Sequence, residues 1–339
     1  MFMERRFYNG PMASSGAADG IFDYGHGISA VDSVYDRRMQ TAIHLMVEDG
    51  RAAIIDTGTS HAAPRVMAAL NARGVAPAQV DYVILTHVHL DHAGGAGQLM
   101  ARFPNARLAV HPRGARHMID PSRLLAATVA IYGEAETRRI YGEILPVPPS
   151  RVVEASEGTV LRLAGRELLF LDAPGHARHH VVLRDARTGH VFAGDTFGLS
   201  YRELDQDGRQ FSFPTTSPSQ FEPAALHRSI DRMLSLGPEA IYVAHFGQLT
   251  DPPRLAADLH RLIDAHAELG ERCRRAGKQR KRLLTEGVSG LVLAERERQA
   301  WRFPREKVLE VFALDIELNA QGLESWLDSE GKQEKNPLR

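Results

Sequence analysis

The chain has 339 residues, 43% hydrophobic and 24% charged, enough apolar material for a sizeable core in one large domain or a domain with an appendage. Lys and Arg number 41 against 42 Asp and Glu, so with a net charge of -1 no global field draws the protein to nucleic acid or an acidic membrane. A single cysteine, Cys273, excludes an intramolecular disulfide and a thiolate metal cluster.

No stretch approaches the roughly 18 apolar residues of a membrane span. The first ten residues, with Glu4, Arg5 and Arg6, are too charged for a signal peptide. The expectation is a cytoplasmic protein that meets neither membrane nor nucleic acid.

In chain order, Ala42–Val47 and Ala52–Ile55 read as two strands joined by a turn at Glu48-Asp-Gly50. Val66, Met67 and Leu70 give 62–73 a helical spacing, and Tyr82-Val-Ile-Leu85 is a short continuous apolar run, typical of a strand buried on both faces. A helix over 96–103 and a strand over 107–110 continue an α/β rhythm. Residues 113–145 break it: helical in pattern, ending at Pro146, Pro148 and Pro149, they read as an inserted lid or a surface for pairing two copies. Strands are expected again at 160–163, 167–171, 180–183 and 191–193. A Pro/Ser/Thr-rich loop over 213–219, a helix over 223–236 and a strand over 240–244 follow. Beyond Pro252 the pattern is helical only, with Leu255, Leu259, Leu262, Ile263 and His266 on one face and Val308, Leu309, Phe312 and Ile316 on another. The expected organisation is one domain over 1–251 and a helical extension over 252–339.

The sixteen histidines matter by placement. Thr86-His-Val-His-Leu-Asp-His92, then Gly94-Gly95, follows directly on a buried strand. Alternate residues of an extended chain point the same way, so His87 and His89 can converge on one metal. Asp91 and His92 follow as the chain turns, and can face a neighbouring position. Imidazole with carboxylate suits Zn, Fe or Mn. A lone histidine would read as a satisfied core residue; three with an aspartate in six positions read as ligands.

The motif His87-x-His89-x-Asp91-His92 resembles the signature of the metallo-β-lactamase superfamily. Later residues fall in that family's order: Asp172-Ala-Pro-Gly-His176, Phe192-Ala-Gly-Asp195 and Val243-Ala-His245. The resemblance covers about residues 40–250. It implies a four-layer αββα sandwich and two divalent metal ions, one on His87, His89 and His176, the other on Asp91, His92 and His245, with Asp195 bridging. It also implies that Asp56 orients a ligand and that His180 supports the site.

Such a site implies hydrolysis by attack of a metal-activated water on a carbonyl or phosphoryl centre, with Asp91 shuttling the proton. Tyr201, Thr215, Thr216 and Ser217 lie in a loop expected to border the pocket, and His111 opens the insert. The absence of a cysteine ligand argues against thiolate-using zinc β-lactamases, and His89 replaces the Glu of flavodiiron proteins. After His245 the chain reads Phe-Gly-Gln-Leu-Thr-Asp-Pro252, without the Asn-containing segment of glyoxalase II; Asn336-Pro-Leu-Arg339 faintly echoes its terminus. The lactonase-like branch, acting on small lactones, esters or thioesters, resembles the chain best. Two alternatives stand beside it. Seven basic residues in the eleven from Arg272 to Arg282 can bind the phosphates of a nucleic-acid substrate. A ligand-binding protein without turnover is the other.

Overall fold

A computed structural model describes residues 20–216 and 220–335, with side chains to residue 330. Ser217 and the segment 336–339 lie outside the described residues. The chain divides into two compact units: the first takes residues 1–156, 160–168 and 244–247, the second 157–159, 169–243 and 248–339.

The first unit holds a seven-stranded sheet in sequential order, β1 (Ile21–Asp23), β2 (Ile28–Asp32), β3 (Ala42–Glu48), β4 (Arg51–Ile55), β5 (Val80–Ile84), β6 (Arg107–Val110) and β7 (Val152–Glu154). Asp49-Gly50, both at positive φ, closes the β3–β4 hairpin, with Glu48 opposite Arg51. Strands β4 to β7 then run parallel. The connections between them carry α1 (Ala63–Ala72), α2 (Leu90–Ala93), α3 (Ala96–Arg102) and the insert, α4 (Pro112–Ile119), α5 (Ser122–Tyr132) and α6 (Glu134–Tyr141). Val66 and Leu70 of α1 and Leu99 and Met100 of α3 share one core with Ile54, Val83 and Leu108 of the sheet, so the parallel strands are covered by their own crossover helices. In a parallel sheet the carboxyl ends of the strands collect polar loops on one edge. Here those ends carry Asp56, Thr86-His87 and His111.

A second sheet runs in the order β13 (Gly247–Thr250), β12 (Ala240–His245), β11 (Val191–Leu199), β10 (Val181–Asp185), β9 (Arg166–Asp172), β8 (Val160–Leu163). In the second unit α7 (Pro223–Ser235), α8 (Pro252–Cys273), α9 (Arg280–Arg298), α10 (Arg305–Val311) and α11 (Ala313–Lys335) join its strands. All of them share a single core, in which Val191, Phe197 and Val243 of the strands meet Ile230, Leu255, Leu259, Val288, Phe312 and Leu323 of the helices. The helices beyond Pro252 are therefore part of the packing of β11 and β12. Both expected apolar faces are used: Leu255, Leu259, Leu262, Ile263 and His266 are all buried, as are Val308, Phe312 and Ile316. Among the described residues no helix is long and apolar enough to cross a membrane.

Candidate metal centre

The chain leaves β5 at Thr86 and delivers four potential ligands in one turn. His87 is fully buried, and its Nε2 lies 3.0 Å from His89 Nδ1, with the two rings edge to face at 4.5 Å. His89, still extended, caps α2, whose short turn swings Asp91 and His92 out of the strand direction. His92 is buried, its ring 4.2 Å from that of His87, and its Nε2 lies 3.2 Å from Asp91 Oδ2. His245 enters from the end of β12, with Nε2 3.5 Å from the same Asp91 oxygen. One ligand atom from each of Asp91, His92 and His245 lies within 4.8 Å of the other two, a spacing that suits a common ion.

The surroundings set how these rings point. His245 Nδ1–H donates to the Gln40 carbonyl at 2.9 Å, which places the lone pair of the neutral ring on Nε2, the atom facing Asp91. Asp56, in left-handed backbone at φ 59°, accepts from the Thr86 amide and hydroxyl, and its Oδ2 lies 3.4 Å from His92 Nδ1. A carboxylate behind an imidazole in this way fixes the ring and raises its basicity. The His92 carbonyl is held in turn by the Thr57 amide and hydroxyl, at 2.6 and 2.7 Å. Gly95 permits that approach: a Cβ there would meet the Thr57 and Thr59 carbonyl oxygens at 2.8 and 2.9 Å.

The second unit assembles its own group. His176 Nδ1 lies 3.1 Å from the Thr215 carbonyl, and its Nε2 lies 3.5 Å from Asp195 Oδ2. His180 is a bracket beneath Asp195: its Nε2 accepts the Asp195 amide at 3.1 Å and its Nδ1 bonds the Thr196 hydroxyl at 3.1 Å.

Other residues singled out in the sequence lie elsewhere. Tyr201 is fully buried and its hydroxyl donates to the Asp315 carboxylate, so it fastens its loop to α11. Thr216 bonds Asn319, whereas Thr215 touches His176 directly. His111 caps α4 by accepting the Arg113 amide. In the basic segment, Arg272, Arg274, Arg280 and Arg282 pair with Glu268, Glu271, Asp328 and Glu286.

Sequence reasoning passed over Gln40 and Thr41, and over three tyrosines. Tyr35 and Tyr141 place their hydroxyls 3.0 Å apart, and the Tyr132 ring lies 6.4 Å from that of Tyr141, tilted by 58°. Burial, reinforced by the nearby Asp91 charge, pushes the Tyr35 and Tyr141 phenols above their ordinary range, so both hydroxyls stay protonated. The helical pattern of the insert is visible in the sequence, but not that Tyr141 meets Tyr35 from the β2–β3 connection.

The sequence profile of the metallo-β-lactamase superfamily matches residues 36–245, and the chain belongs to that superfamily. Its fold is shared with solved structures: a metallo-β-lactamase family protein from Thermus thermophilus (22% identity, 90% of this chain and 94% of that one, TM-score 0.61) and a superfamily protein from Sulfolobus tokodaii (19%, 88% and 99%, 0.58). Among curated relatives, a hydroxyacylglutathione hydrolase of Xanthomonas axonopodis is 30% identical over 198 residues, and one of Stenotrophomonas maltophilia 32% identical over 152. These matches span 56% and 44% of the relatives' lengths, and 58% and 45% of this chain.

Proposed function

We propose that the protein is a two-metal hydrolase acting on a thioester, ester or lactone of a small molecule. In this reading His87, His89 and His176 would hold one divalent ion and Asp91, His92 and His245 the other, with Asp195 supplying a carboxylate to them. The observation that carries it is the convergence of Asp91, His92 and His245 on one point, with His87 and His89 beside them. The donor set fits: imidazoles and carboxylates without a thiolate suit zinc, the ion proposed, as well as iron or manganese. Bound there, such ions supply Lewis acidity towards a carbonyl and lower the pKa of water.

The chain's own residues do the rest. Asp91 is partly exposed while His92 and His245 beside it are buried, so it is the group that can take a proton from water and return it to the leaving group. Asp56, Gln40 and His180 keep their partners in a single orientation. The curated relatives named hydroxyacylglutathione hydrolase favour a thioester among the three bond types. The stretch after His245 lacks the Asn-containing segment expected for glutathione, so we propose the acyl thioester class without that carrier. Four arginines of the 272–282 segment already face carboxylates, which weighs against a phosphodiester substrate. A cytoplasmic setting fits the single, buried Cys273.

Metal analysis of the purified protein, with a panel of thioesters, aryl esters, lactones, bis-p-nitrophenyl phosphate and single-stranded RNA, tests this. About two ions per chain and turnover of the carbonyl substrates are expected. Turnover confined to the phosphodiesters would favour the nucleic-acid reading. Silence on every substrate by fully metallated protein would favour a binding protein.

A further inference from the structure

The insert is fixed to the first unit at its C-terminal end. Ser60 Oγ donates to the Tyr141 carbonyl at 2.9 Å, and His61 Nε2 donates to the Arg139 carbonyl at 3.1 Å. Gly142 follows at φ 70°, where any Cβ would collide with the Ser60 hydroxyl. Tyr141 is thus held from both sides, and its hydroxyl meets that of Tyr35, from the β2–β3 connection. Tyr141 also hydrogen-bonds Tyr132, and three phenols linked by two hydrogen bonds still have a third hydrogen to offer an oxygen.

Helix α5 leads into this row through its last residue, Tyr132. From Leu124 to Tyr132 it reads Leu-Leu-Ala-Ala-Thr-Val-Ala-Ile-Tyr, with no charge, yet none of its residues is buried. Leu124 leans on the core of the unit, while Ile131 is 65% exposed. A surface helix ordinarily turns charges outward. Here an uncharged stretch of helix ends at Tyr132, whose ring lies 6.4 Å from that of Tyr141, and the Tyr141 and Tyr35 phenols feel the Asp91 charge.

We propose that Tyr35, Tyr141 and the uncharged surface of α5 form the acyl subsite: the phenols donate to a substrate oxygen and α5 receives an apolar acyl chain. This rests on the hydrolase reading and narrows it to substrates with aliphatic acyl groups. The occupant follows from continuity, because an acyl chain attached to a carbonyl near Asp91 meets the tyrosines first and α5 next.

Calorimetry with octanoate and acetate tests the subsite without turnover. Octanoate should bind at least about tenfold tighter, since each buried methylene adds to affinity. V129D/I131D should erase most of that preference, and Y35F/Y141F should weaken both acids by about tenfold, with melting temperature and metal content as wild type. In parallel, kcat/KM for p-nitrophenyl esters should rise with acyl length in the wild type and flatten in V129D/I131D. Equal binding of the two acids, or a preference that survives V129D/I131D, overturns the proposal. So does a dimer that V129D/I131D dissociates while the preference is unchanged, since a second copy would then own the helix. Ester hydrolysis without chain-length preference removes the subsite but leaves the hydrolase reading; octanoate preference without hydrolysis does the reverse.

Discussion

Asp56, just past the end of β4, and His92, in α2, lie 3.4 Å apart, and the same carboxylate also holds the Thr86 amide and hydroxyl. One buried side chain therefore braces both the start of the ligand turn and its last histidine. Removing it as Asp56→Ala strands two buried donors, and a loss of about 3 kcal/mol is expected by urea denaturation. Asp56→Asn keeps an acceptor for Thr86 but not the charge behind His92. It should lose under half as much stability while binding zinc about 10- to 100-fold more weakly in a chelator competition. Equal zinc affinity in Asp56→Asn and wild type would remove the orienting role.

Gly95 tests the same brace from the other side. An alanine methyl would press on the Thr57 and Thr59 carbonyls, backbone atoms with nowhere to go. Gly95→Ala should cost about 1–3 kcal/mol by denaturant titration, and it should lower metal occupancy because Thr57 also holds the His92 carbonyl. Gly290, with nothing near its Cβ position, is the control: Gly290→Ala in α9 should stabilise by up to about 1 kcal/mol.

Two buried histidines, His266 and His44, shape the acid limb of stability. His266 is buried between Leu262 and Phe213, donates Nδ1–H to the Leu262 carbonyl, and burial pulls its pKa down to about 4. His44 in β3 is pulled down to about 3, also by burial. Below pH 6.5 the unfolded chain takes protons that these folded imidazoles refuse, so stability falls as pH drops from 6.5 and levels off below about 4 for His266. The His266 share is roughly 3 kcal/mol. His266→Met should make the melting-temperature profile between pH 6.5 and 4 less steep, with His44 supplying the slope that remains; an unchanged slope would mean that the His266 ring charges in place.

Asp205 works in the opposite sense. Burial raises its pKa to about 6, against a smaller lowering by Arg202. The folded state then holds a proton that the unfolded state releases above about 3.8, so stability declines as pH rises from there through about 6. Asp205→Asn should gain roughly 1–3 kcal/mol at pH 7.5 and little at pH 4, read as the shift in urea midpoint.

What could be read in the sequence was what is local. The His87–His92 turn declares itself because its ligands sit within six residues at the end of a strand, and the Asp49-Gly50 hairpin because two residues fix its register. The helical faces of α8 and α10 were visible for the same reason, as a spacing along one stretch of chain. Partners far apart in sequence were not. Tyr201 looked like a pocket residue until its hydroxyl met Asp315, 114 positions on. Tyr35 and Tyr141 are 106 apart, and neither carries a local pattern that marks the other. Strand β1, three residues long, is too short for any alternation to show.

The interleaving of the two units has a consequence for synthesis on the ribosome. The first unit takes its last piece, residues 244–247 with His245, only after most of the second unit's strands have been made. Those strands are lined by Leu255, Leu259, Phe312 and Leu323, which emerge later still. The nascent chain must carry Phe197 and Val243 uncovered until α11 arrives, so a stop codon between α8 and α11 should send the product to aggregation or proteolysis rather than yield a shorter folded protein.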